Sequence, residues 1–146
     1  MDTPEQVLQG AFGFNDFRPG QREIIDLLIS GRNVLAVMPT GAGKSMCYQI
    51  PAVLSDKLTI VVSPLIALMD DQVAGLRANG VNAACIHSGM SREDQVQAWM
   101  DVKSGANRLL YLSPERLMTE RMLTAIAKIE TTLFVLTVQS IRPLKS

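Results

Sequence analysis

The stretch Val34-Leu35-Ala36-Val37-Met38-Pro39-Thr40-Gly41-Ala42-Gly43-Lys44-Ser45 decides how this chain is read. Five apolar residues, Val34–Met38, run as a strand into a glycine turn, and Met46–Leu54 continues as a helix. Strand, glycine loop and helix N-terminus in that order make a P-loop. Gly41 and Gly43 let the backbone turn its N–H groups inward around phosphate oxygens. The helix that begins near Lys44 adds the positive end of its dipole. Lys44 is spaced to reach the β- and γ-phosphates of a nucleotide, and the Ser45 hydroxyl to ligate Mg²⁺. ATP and Mg²⁺ are therefore the candidate cofactors.

The generic pattern G-x-x-x-x-G-K-[ST] fails at one position, because Met38 stands where the first glycine belongs. A dinucleotide fingerprint fails too, since Met46 occupies its third glycine position. The competing reading is an ordinary strand–turn–helix with glycine at the bend. The Gly-Lys-Ser ending in its strand-to-helix context favours the P-loop.

Outward from this loop, short apolar runs alternate with amphipathic stretches. Candidate strands are Asn33–Met38, Leu58–Val62, Asn82–Ile86, Arg108–Leu112 and Thr132–Val138, with starts 24 to 26 residues apart. That spacing fits a strand, a loop and a three-turn helix, which predicts βαβ units and a parallel sheet. A solenoid is the other source of such a period, but no residue signature recurs with it. Thr3-Pro4-Glu5-Gln6 predicts a capping box. Further helices are expected with inward faces of Ile24, Leu27 and Leu28; of Leu65, Leu68, Gln72, Val73 and Leu76; of Val96, Trp99 and Met100 after Ser91; and of Leu117, Met122 and Ile126 after Pro114.

Composition narrows the function classes. The 146 residues amount to one domain, and 14 Lys+Arg balance 14 Asp+Glu. A nucleic-acid binder that works by bulk positive charge is excluded, although a local basic groove is not. Two cysteines, Cys47 and Cys85, and the single histidine have no metal-ligand spacing, so neither a zinc site nor a disulfide scaffold is expected. His87 reads as structural, with no partner spaced to form a dyad. Arg77, Arg92, Arg108 and Arg116 are scattered and read as solvated-face residues. The N-terminus lacks a signal-peptide core and no apolar run approaches a membrane span, so a soluble intracellular protein is expected, cytoplasmic and nucleoid-associated if bacterial, with no membrane partner.

Met38–Ser45 followed by Cys47-Tyr48-Gln49-Ile50-Pro51-Ala52 resembles motif I of the RecQ DNA helicases, superfamily 2 enzymes that unwind DNA 3′ to 5′ with ATP. Their motif I has no glycine at the Met38 position. Phe12-Gly13-Phe14 with Phe17-Arg18-Pro19-Gly20-Gln21 is similar to the motif 0 of that family, Ser63–Met69 with Asp71-Gln72 to motif Ia, and Tyr111–Leu117 to motif Ib. Four motifs in order cover about residues 8–130. The resemblance implies an α/β, RecA-like parallel sheet with flanking helices, and a place in DNA repair and recombination. It implies that Phe14 stacks on adenine and that Arg18 contacts the nucleotide. Gln21, with a donor and an acceptor, suits adenine N6 and N7. Phe stands where Tyr is common at position 14, which keeps the stacking face. Without the neighbouring motifs Phe12, Phe14 and Phe17 would read as a hydrophobic cluster.

The resemblance thus puts Phe14, Arg18, Gln21, Thr40, Gly41, Ala42, Gly43, Lys44 and Ser45 at the nucleotide, with Lys44 and Ser45 catalytic. It puts Ser63, Pro64, Leu65, Ser113, Pro114, Glu115 and Arg116 at single-stranded or forked DNA. Both Ser-Pro pairs fall at strand C-terminal ends, where ligands gather in open α/β sheets. Each also reads as a helix start, with Ser as the cap.

The family pattern stops at the tail. Asp-Glu-Ala-His is due after the strand that holds Val135, but Leu136–Ser146 follows instead and no Asp or Glu occurs after Glu130. Those acids hold Mg²⁺ and position the attacking water. Asp70-Asp71 does not replace them, because helical spacing puts both about two turns into a helix. Residues 1–135 are expected to be part of a first RecA-like domain and 136–146 an off-pattern tail, as a reading-frame shift in a longer gene would produce. Nucleotide and DNA binding without hydrolysis or unwinding is the expectation. A regulatory DNA-binding module and another P-loop NTPase or kinase are the alternatives. Oligomeric state is not legible.

Overall fold

The computed structural model describes residues 3–33 and 43–136. The chain begins with α1 (Pro4–Gly10), α2 (Gln21–Ile29) and α3 (Lys44–Leu54). It continues with β1 (Leu58–Val62), α4 (Ile66–Ala78), β2 (Ala83–Ile86), α5 (Arg92–Lys103) and β3 (Leu109–Leu112). It ends with α6 (Pro114–Leu117), α7 (Glu120–Ala127) and β4 (Thr131–Leu136). The strands form one sheet in the order β2-β3-β1-β4, with every described pair parallel. This is the expected α/β class.

The sheet is covered on both sides, which is why β1, β2 and β3 are buried along their whole length. Strand side chains alternate between the faces. Val61, Ala83, Cys85, Leu109 and Tyr111 pack with Val7, Leu8, Ile25, Tyr48, Ile50, Met69, Val73 and Leu76 of α1 to α4. Ile60, Val62, Ala84, Ile86, Leu110 and Leu112 pack on the other side with Ala98, Val102 and Ile126 of α5 and α7.

Strand positions agree with the sequence reading to within a residue, except that the run 33–38 lies, apart from Asn33, outside the described residues, as does 137–138. Asn33 itself is not in a strand. The Thr3 capping box forms, with Thr3 Oγ1 accepting from Gln6 N and Gln6 Oε1 accepting from Thr3 N.

Three helix faces differ from expectation. On α2 the buried stripe is Gln21 and Ile25, and Leu27 is exposed. On α4 it is Met69, Val73 and Leu76, while Leu65 and Leu68 face out. On α5 it is Ala98 and Val102, with Trp99 half-buried and Val96 and Met100 exposed. In α5 a small residue lets the helix lie close to the sheet, so the bulkiest apolar side chains flank the contact rather than fill it. The helix expected after Pro114 is two, α6 and α7, and Thr119 caps the second by accepting from Met122 N.

Candidate functional site

The turn into α3 is set by Gly43, the N-cap, at φ +76° in the left-handed region. Among the described residues no side chain caps this helix. Met46 N donates back to Gly43 O at 3.2 Å, and the N–H groups of Lys44 and Ser45 open the helix ahead of it. Lys44 is exposed and Ser45 half-buried at its first turn. Thr40, Gly41 and Ala42 lie outside the described residues.

Motif 0 closes on this turn. The Gln21 side chain is buried, and its Nε2 donates to Gly43 O at 3.0 Å while its Oε1 accepts from Arg18 N at 2.8 Å. A Cβ on Gly43 would come within 2.4 Å of Gln21 Nε2 and 3.8 Å of Arg18 Cδ. Only glycine permits that approach. Each Gln21 group retains one further hydrogen or lone pair. Phe12 and Phe17 pack against the core, whereas Phe14 is 52% exposed. The three aromatics therefore do not form one hydrophobic cluster: two anchor the segment and one presents its ring to solvent.

Ser63 and Ser113 end the adjacent strands β1 and β3, and Ser63 N donates to Leu112 O at 3.0 Å. The two Ser-Pro turns thus stand side by side at the C-terminal edge of the sheet. Both serines are buried. Ser113 Oγ caps α6 by accepting from Arg116 N. Ser63 is not the cap of α4. Leu65 holds that position, and Ser63 Oγ accepts from Leu65 N at 3.3 Å across a local turn. Pro64, Leu65 and Glu115 are exposed around them, with Pro114 and Arg116 half-buried.

Two of the scattered arginines also make structural hydrogen bonds, Arg77 from the exposed position expected of it and Arg108 from a half-buried one. Arg77 Nε donates to Ala83 O at 2.9 Å, and Arg108 Nη1 donates to Ser55 O. His87 does have a partner, Asp70, which spacing in the sequence did not show because the two come from α4 and the end of β2. The imidazole Nε2 lies 3.0 Å from Asp70 Oδ1, and the Cys85 thiol donates to the same oxygen at 3.3 Å. These three residues could in principle hold a metal ion, since their ligand atoms lie within 4.8 Å of one another. The local hydrogen bonding speaks for a different use. Gly89 N donates to His87 Nδ1 at 3.0 Å, so the neutral ring carries its proton on Nε2 and donates it to Asp70. A lone pair directed at a metal would put two protons face to face at Gly89.

The Asp70 carboxyl is held below its ordinary value, chiefly by the His87 hydrogen bond, with partial burial opposing and the Cys85 thiol assisting. The Cys85 thiol is pushed up to about 12 by burial first and by Asp70 second. Asp70 and Asp71 lie in the helix α4, as their spacing predicts, and not at a strand end.

The family model of the DEAD/DEAH box helicases matches residues 18–140. The chain belongs to that family. Within it, the chain is 47% identical over 125 residues to an ATP-dependent DNA helicase RecQ of Haemophilus influenzae, covering 86% of this chain and 20% of that protein. It is 42% identical over 134 residues to an ATP-dependent DNA helicase RecQ of Bacillus subtilis, covering 91% of this chain and 23% of that one. The chain therefore spans about a fifth of the length of the RecQ helicases it matches. A crystal structure of a hypothetical ATP-dependent RNA helicase from Sulfolobus tokodaii superposes with a TM-score of 0.74 at 22% identity, over 93% of this chain and 41% of that one. That likeness confirms the RecA-like α/β fold of the helicase family. Among the described residues no helix is long and apolar enough to cross a membrane.

Proposed function

We propose that this helicase-family chain is the N-terminal piece of a RecQ-like ATP-dependent 3′–5′ DNA helicase, and that it binds ATP without turning it over. The observation that carries the reading is the Gln21 bridge, which ties motif 0 to the uncapped N-terminus of α3 through Arg18 and Gly43. Phosphates would sit against that N-terminus, where the N–H groups of Lys44 and Ser45 and the helix dipole favour negative charge. Lys44 adds a positive charge beside them. Adenine would stack on Phe14 and use the remaining amide capacity of Gln21, with Arg18 along the nucleotide. Thr40, Gly41 and Ala42 complete the loop in this reading.

Mg²⁺ would arrive with the nucleotide and neutralise phosphate charge, held on the protein side by the Ser45 hydroxyl. No acidic residue follows Glu130. Asp70 is committed to His87 and Cys85. In this reading the acids that would position the attacking water are missing from residues 131–146, so the 146-residue chain by itself is expected to hydrolyse ATP and unwind DNA negligibly.

Single-stranded or forked DNA would run over the paired Ser-Pro turns. Because both hydroxyls are buried, contact there falls to the turn backbone, to exposed Pro64, Leu65 and Glu115, and to Arg116 and Pro114. The balanced charge predicts weak, salt-sensitive binding. Titrating labelled single-stranded DNA at two salt concentrations tests this. Affinity that falls with salt supports the reading, and no binding at either concentration contradicts it.

A further inference from the structure

A chain of polar side chains, buried except at its Gln72 end, runs between the three candidate ligand-facing turns. Gln49 Nε2, on α3, donates to Tyr111 Oη at 3.1 Å. Tyr48 Oη, also on α3, donates to Gln72 Oε1 on α4 at 2.7 Å. The two phenol oxygens lie 3.4 Å apart. Since the only proton of Tyr48 goes to Gln72, Tyr111 must donate to Tyr48. The order is therefore fixed in one direction, Gln49 to Tyr111 to Tyr48 to Gln72.

The placement of this chain is what gives it meaning. Gln49 and Tyr48 sit on the helix whose N-terminus is the Gly43 turn. Tyr111 lies two residues before Ser113. Gln72 sits on the helix that follows the Ser63 turn, and together with Ser63, Leu68 and Tyr111 it lines a cavity of about 10 Å³. Tyr48, Gln49 and Tyr111 are all buried. Phenylalanine and leucine would fill the same space with no polar group to satisfy, and a buried donor or acceptor left unpaired costs about 1–3 kcal/mol. A one-directional chain also strengthens each of its bonds through mutual polarisation. Burial raises the pKa of both phenols, which keeps them protonated as donors.

We infer that Tyr48 is a positioning residue that couples the nucleotide turn at Gly43 to the Ser63 and Ser113 turns, so that nucleotide and single-stranded DNA alter each other's affinity through the Tyr48–Gln72 and Tyr48–Tyr111 hydrogen bonds. This rests on the function proposed above. Tyr48 and Gln72 touch neither ligand in that reading, so their loss should leave each separate affinity in place. Coupling between two sites is reciprocal, which gives two readouts of one quantity.

The test uses the 146-residue chain with labelled single-stranded DNA and Mg-ATP, each titrated with and without saturating amounts of the other. The wild type is expected to show a mutual change in affinity of about 5-fold or more. Tyr48→Phe removes one hydroxyl and keeps the ring. It is expected to leave both separate affinities within about 2-fold and to bring the mutual change close to none. Gln72→Leu, at the half-exposed end of the chain, should do the same and serves if Tyr48→Phe lowers the thermal transition below the assay temperature. Coupling retained in both variants overturns the inference, as does a wild type that binds both ligands with no mutual effect. A folded wild type that binds neither ligand overturns the proposed function itself.

Discussion

Gly43 carries the tightest constraint in the candidate site. Its φ of +76° alone disfavours a side chain, and a Cβ would also collide with Gln21 Nε2 at 2.4 Å. Gly43→Ala is expected to destabilise the fold by about 1–2 kcal/mol, from left-handed strain and a displaced buried amide. Urea unfolding measures it, and a variant as stable as the wild type would show that the turn relaxes. The sequence announced a glycine here through the P-loop pattern. It did not announce that Gln21 would reach it, because a contact across 22 residues depends on how α2 packs on α3. The thiols make a second residue-scale case. Cys85 is pushed up to about 12, and burial raises Cys47. Thiolates are the reactive form. Neither is expected to react with a thiol reagent in the native protein at neutral pH, and both should react after unfolding. Rapid native labelling of Cys85 would contradict its placement against Asp70.

At the scale of elements, strands were more legible than helix faces. The buried parallel strands are apolar runs, broken only by Thr59 in β1, and the runs mark their own ends. Leu58–Val62 appears in the fold with the bounds read from the sequence. A helix face is set by where the helix lies on the sheet, and α5 shows how size misleads. Ala98 makes the contact, while Val96 and Met100 stay exposed. Caps behave locally: Thr3 and Ser91 were read correctly, whereas Thr119, which caps α7 before Glu120, was missed because one helix was read across it. Ser91 Oγ accepts from Asp94 N at 3.1 Å at the start of α5. Ser91→Ala is expected to cost about 1 kcal/mol in thermal or urea unfolding. A change close to zero would mean that the exposed first turn of α5 draws nothing from its cap. Ser63 is the instructive failure among the caps: the chain bends at Pro64 and Leu65 is extended, so the helix starts two residues late with Leu65 as its N-cap.

At the scale of the whole molecule, Asp70 ties α4 to the end of β2, across one face of the sheet. Its folded-state pKa is depressed, so the charged form is favoured in the fold. That contribution is present above the ordinary carboxylate pKa of about 3.9 and is lost as pH falls through the lower folded value. The side chain is 56% exposed, so solvent screening limits the effect to about 0.5 kcal/mol. Asp70→Asn should therefore lower stability slightly at neutral pH, with the gap to wild type closing below about pH 4. A pH-independent gap in urea midpoints would assign the effect to packing instead. The molecule's architecture was legible because strand spacing and motif order agreed. The His87–Asp70–Cys85 knot was not, because its members share no sequence period.

The central claim is that motif 0 and the Gly43 turn form one nucleotide site. Equilibrium binding of Mg-ATP to the 146-residue chain and to Lys44→Ala tests it most directly. Saturable binding is expected, weakening about 10-fold or more when Lys44 is removed, since a charge-assisted contact is worth about 1.5–3 kcal/mol. A cooperatively folded wild type that does not bind, or a Lys44→Ala variant that binds equally well, would contradict it.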